Sequence, residues 1–177
     1  MALSEKDKEQ LRKIAKCAIE SILFGQTGEA PNPSDNLKEK GGAFVTITKK
    51  GNLRGCIGYI REVLPIHQTV KEAAVQAAFH DPRFRPLSKD EWTDVEIEIS
   101  VLTPMKKIKD VEEIEVGKHG LYIEKGYDSG LLLPQVATEY NWDRMTFLEQ
   151  TCHKAGLPRD AWKGKGMNIY IFSADIF

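Results

Sequence analysis

The strongest constraint on the fold is the alternation in residues 94–103, where Val95, Ile97, Ile99 and Val101 are apolar and Glu96, Glu98 and Ser100 between them are polar. Successive strand side chains point to opposite faces, so this segment predicts a strand with one buried and one wet face. A half-wet sheet is characteristic of antiparallel pairing, which points away from a chain of repeated βαβ units. Residues 43–49 also alternate, Lys50, Gly51 and Asn52 supply turn chemistry, and residues 53–60 read as extended again, which predicts a hairpin.

Helical spacing appears elsewhere. Leu11, Ile14, Ala15, Ala18, Ile19, Ile22 and Leu23 recur at three and four, with Ser4 placed to cap the helix and Gly25 to stop it. Cys17 sits at the margin of that stripe. A second helix follows Pro65 and reaches about His80, with Ile66, Val70, Ala73, Ala74, Ala77 and Ala78 inward, a face built mostly from alanine. So small a face permits close approach to a sheet. Ser88 and Glu91 have the spacing of a capping box. Residues 120–125 and 129–133 predict a second hairpin, Asp143 can cap a helix to Ala155 that buries Cys152, and residues 167–177 read as one apolar strand. Strands and helices are segregated, so the class is α+β with a largely antiparallel sheet flanked by helices. With 177 residues the chain can bury its own core, and nothing marks a linker, so residues 1–177 read as a single domain.

Several function classes are disfavoured. Basic and acidic side chains number 25 and 26, which argues against broad binding to a phosphate backbone, so nucleic acid is an unfavoured partner. Three cysteines in unpaired spacing predict reduced thiols and a cytoplasmic protein rather than a secreted disulfide framework. No apolar run approaches the roughly 20 residues of a membrane helix. Neither zinc-type Cys and His spacing nor a phosphate-loop or dinucleotide glycine pattern is present, so no metal and no cofactor are expected.

The chemistry concentrates in Leu53, Arg54, Gly55, Cys56, Ile57 and Gly58. On a regular strand Arg54 and Cys56 share one face, Gly58 continues it and leaves room beside the thiol, and Gly55 on the other face admits a helix. A guanidinium near a thiol favours the reactive thiolate, which makes Cys56 the candidate nucleophile and Arg54 the candidate anion binder. Gly55 and Gly58 complete the candidate ligand-binding set, with Asp81 and Arg83 framing its mouth. A cysteine enzyme also needs a base. His80, His153 and Glu149 are the candidates, the last two sharing a helix face at a spacing of four. The same residues admit a plainer reading, in which Cys56 fills a core, the hairpin simply packs, and Asp81 pairs with Arg83.

Gly42, Ala43, Phe44, Val45 and Thr46, then residues 53–58, then Asp81, Pro82, Arg83 and Phe84, then residues 130–137 and residues 147–157, resemble the AMMECR family in order. Prokaryotic members of that family are also called protein A of the AmmeMemoRadiSam system. The resemblance implies a compact α+β protein with two subdomains meeting at a cleft near residues 53–58. It also implies functional association with a radical SAM protein and a Memo-like dioxygenase relative, and a nucleic-acid or nucleotide role has been suggested for the family. The combined expectation is a cytoplasmic enzyme or enzyme subunit that binds a small anionic or nucleotide-like ligand at residues 53–58. The alternative is a non-catalytic binding module for a protein or nucleic acid.

Overall fold

A computed structural model describes residues 3–25 and 28–177. In chain order its elements are α1 (Glu5–Phe24), α2 (Asp35–Lys38), β1 (Ala43–Lys49), β2 (Asn52–Tyr59), α3 (Ile66–Phe79), β3 (Val95–Leu102), β4 (Lys106–Lys107), β5 (Gly120–Lys125), β6 (Asp128–Leu132), α4 (Pro134–Glu139), α5 (Arg144–Lys154), β7 (Asn168–Phe172) and β8 (Ala174–Ile176). The fold is α+β with antiparallel sheets and flanking helices. Two compact units are present, one running to Leu102 and taking up Asp175–Phe177, the other Thr103–Ala174.

In the first unit the sheet order is β2-β1-β3-β8. Val45, Ile47, Ile99 and Val101 pack with Leu11, Ile14 and Ile19 of α1 and with Val70, Ala73, Ala74 and Ala77 of α3. Ser4 caps α1 in a capping box with Asp7, and Gly25 closes it in the left-handed region. The Asp7 carboxylate also accepts from Ser34 Oγ at 2.5 Å and from Asn36 Nδ2 at 3.3 Å, which ties the segment before α2 to the first turn of α1. Lys50 and Gly51, with φ of 51° and 77°, form the tight β1–β2 turn, whose handedness matches strand twist.

In the second unit the order is β4-β7-β5-β6. Leu121, Ile123, Ile169 and Ile171 pack against Phe147, Leu148 and Cys152 of α5. The C-terminal strand expected as one piece is two, because the chain breaks at Ser173. Residues 168–172 pair with β5, whereas Phe177 exchanges both backbone hydrogen bonds with Ile99 of β3. Apolar pattern alone does not register this, since both halves are rich in apolar residues.

Candidate functional site

The β1–β2 register decides how residues 53–58 are presented. Thr46 faces Cys56 and Ile47 faces Gly55, but Thr48 faces Leu53, so Arg54 is an extra residue in a β-bulge. Leu53 therefore shares the face of Cys56, Thr46 and Thr48, and Arg54 leaves it. Its guanidinium reaches Glu91 with Nε on Oε1 at 3.0 Å and Nη2 on Oε2 at 2.9 Å. Lys49, which points to the side of Val45 and Ile47, meets the same Glu91 at 3.1 Å. The expected common face of Arg54 and Cys56 is thus overturned: alternation holds only while the strand is regular, and one inserted residue reverses everything beyond it.

Both glycines serve packing. A Cβ on Gly55 would stand 2.1 Å from the Ala77 carbonyl oxygen, so its bare backbone is what lets α3 lie close to β2. A Cβ on Gly58 would meet the Phe44 ring at 2.2 Å. The space expected beside the thiol is filled by that ring. The structure therefore places Gly55 on the helix side, away from the thiol, and Gly58 beneath an aromatic side chain.

Asp81 and Arg83 do meet Cys56, through its backbone. Asp81 Oδ2 accepts the Cys56 N–H at 2.9 Å, and Arg83 Nη2 donates to the Cys56 carbonyl at 3.2 Å. Arg83 also grips Asp81, Nε to Oδ1 at 2.9 Å and Nη2 to Oδ2 at 2.7 Å. The Asp81 side chain is only 1% exposed, whereas that of Arg83 is 54% exposed. Hydrogen bonds from Arg83 hold the Asp81 carboxyl well below the usual carboxylate range, and Arg54 does the same to Glu91. The ring of Phe84 lies 5.5 Å from the Arg83 guanidinium carbon and 6.0 Å from that of Arg54.

The Cys56 thiol is half-buried, with Sγ 3.2 Å from Thr46 Oγ1. Thr46 also faces Glu98, so thiol, hydroxyl and carboxylate residues form one row across three strands. His80 is exposed at the end of α3, and Glu149 and His153 lie on α5 of the second unit. Sequence reasoning missed Thr46, Glu91 and Phe84. Cross-strand partners become visible only once register is known; the capping-box spacing singled out Glu91, but not as the partner of Arg54. Among the described residues no group of three or more His, Cys, Asp or Glu side chains could hold a metal ion. Nor is any helix among them long and apolar enough to cross a membrane.

Two other features involve neither Cys56 nor its partners. Hollows of about 330 and 420 Å³ adjoin along α1 and α3; they share Ile14, Ala30 and Lys71, and Cys17 lines the first. In the second unit Glu124 accepts from Tyr170 Oη at 2.8 Å and Asn168 Nδ2 at 3.2 Å, beside the paired rings of Tyr122 and Tyr170.

An α+β chain of two helix-backed antiparallel sheets, with an edge strand clamped by an aspartate–arginine pair, is the class that this geometry defines. The chain belongs to the AMMECR1 family, whose sequence model matches residues 12–177. A protein of Methanothermobacter thermautotrophicus is 46% identical over 99% of this chain and 95% of its own length. One of Aquifex aeolicus is 43% identical over 97% and 92%. The crystal structure of the uncharacterised protein PH0010 from Pyrococcus horikoshii has the same fold, with a TM-score of 0.89 and 38% identity over 98% of this chain and 91% of that one.

Proposed function

We propose that this chain binds a small anionic or nucleotide-like ligand at the outer edge of β2, as a cytoplasmic enzyme or enzyme subunit. The observation that carries the reading is Arg83. An exposed arginine ordinarily loses much side-chain freedom on gripping a ligand, but here Asp81 and the Cys56 carbonyl already fix a guanidinium that is half in solvent. Its Nη1 has no partner among the described residues and is the donor available to an anion. Arg54, 14% exposed and forked onto Glu91, supports the site from within instead of contacting the ligand. Cys56 and the row through Thr46 belong to the adjoining face. A working association with a radical SAM protein and a Memo-like protein is part of the same proposal and rests on the family resemblance.

Calorimetric titration of the full chain with inorganic phosphate and with AMP at low salt tests it. Saturable binding of either, lost in Arg83→Gln with an unchanged melting temperature, is expected. Binding that survives the substitution, or no binding by either probe, overturns the proposal.

A second reading, a non-catalytic module for a protein or nucleic acid, is favoured by one observation. The hydrogen-bond partner of the Cys56 thiol is a threonine hydroxyl, which is too weak a base to take its proton. Native pull-down and salt-dependent RNA binding separate its two versions, and a steep salt dependence marks the nucleic-acid one.

A further inference from the structure

β2 is an edge strand, and edge strands offer a row of N–H and C=O groups to any other chain. Its middle rung is not open. The Cys56 N–H ends on a carboxylate oxygen of Asp81 and its C=O on Nη2 of Arg83. One acceptor and one donor, bound to each other, therefore stand where a neighbouring strand would place its own C=O and N–H. Two residues along, the backbone of Gly58 points to the same side and has no such side-chain cap among the described residues. Beyond the bulge at Arg54 and that residue's inward turn, β2 carries little of the usual protection. It has no proline and no lysine, its one charged side chain is turned onto Glu91, and Leu53 and Tyr59 near its ends are 44% and 37% exposed.

We infer that the Asp81–Arg83 pair is a stopper on a strand-docking edge, and that the partner this edge fits is β2 of a second copy. An antiparallel pair of identical edge strands is self-complementary about a two-fold axis, so one surface supplies both sides of the contact. With the pair removed, the Cys56 rung joins that of Gly58 as a continuous template. The stopper uses Asp81 and Nη2 of Arg83, whereas the proposed anion site uses Nη1, so either can fail without the other.

Light scattering on the full chain over a range of concentrations tests the inference. Asp81→Ala with Arg83→Ala is expected to form dimers or larger species in a concentration-dependent way beyond anything seen for the wild type. Adding Leu53→Lys and Tyr59→Lys, which charge the edge, is expected to restore the wild-type mass. A folded double variant that keeps the wild-type mass throughout overturns the inference, as does association that the edge lysines leave unchanged. If the double variant loses its circular dichroism signature, Arg83→Ala alone, at an exposed position, decides by the same readings.

Discussion

Arg54 closes a two-pronged ion pair on Glu91, and in doing so turns away from the face that Cys56 shares with Thr46 and Leu53. The pair is largely shielded and also holds Lys49 and the capping hydroxyl of Ser88. Arg54→Ala is expected to lower stability by about 1–3 kcal/mol in urea unfolding, because it leaves a shielded carboxylate short of its main partner. Arg54→Lys, which keeps the charge but not the fork, is expected to lose less. A neutral result for Arg54→Ala would show that the pair contributes nothing to the fold.

Acid sensitivity follows from the buried carboxylates. Hydrogen bonds from Ser34 and then Ser4 lower Asp7 from 3.8 to about 2. The folded value lies below the unfolded one, so this contribution is fully present above the unfolded value and is lost as pH falls through the folded one. Asp81 and Glu91, also lowered, act in the same direction. Stability is expected to be level from neutral pH to about pH 5 and to fall from about pH 4 downward. Asp7→Asn is expected to lose about 2 kcal/mol at neutral pH and to show a shallower acid slope. Unfolding free energies measured from pH 7 to pH 2 check both.

Gly55→Ala brings a methyl group to 2.1 Å from a backbone carbonyl that cannot rotate aside. A loss of about 2–3 kcal/mol is expected, as for an overpacked core. Far-UV circular dichroism with thermal melting measures it, and an unchanged melting temperature would mean that α3 shifts freely on the sheet.

The three thiols should separate by burial. Cys17 and Cys56 are half-buried, whereas Cys152 is fully buried on α5, where burial also pushes its thiol pKa up. Titration with a disulfide reagent should modify Cys17 and Cys56 in the native protein and Cys152 only as the chain opens. Native reaction at Cys152, located by mass spectrometry, would contradict the packing of α5.

Much of the fold was legible because it is written in local chemistry. Ser4 and Gly25 bound α1, Ser88 and Glu91 form their capping box, and the alternation of residues 95–101 puts Ile99 and Val101 in the core. The alanine face of α3 and the bare Gly55 against it were also readable, since small residues on both partners are the condition for close approach. The candidate site was less legible. Asp81 and Arg83 were visible as charges framing the candidate site, but their target is the backbone of Cys56, to which composition gives no clue.

The sequence by itself determined the element types, the α+β class and the concentration of unusual residues at 53–58, because caps, turns and hydrophobic period act over a few neighbouring residues. Tertiary structure alone decided which face each of those residues occupies. One bulge opposite Ile47 and Thr48 separates Arg54 from Cys56, and the partners Glu91 and Asp81 arrive from 37 and 25 residues away. Strand register and long-range pairing are set by the packed whole, and so the residues that looked like one site became a shielded ion pair, a thiol on the opposite face and a clamped edge.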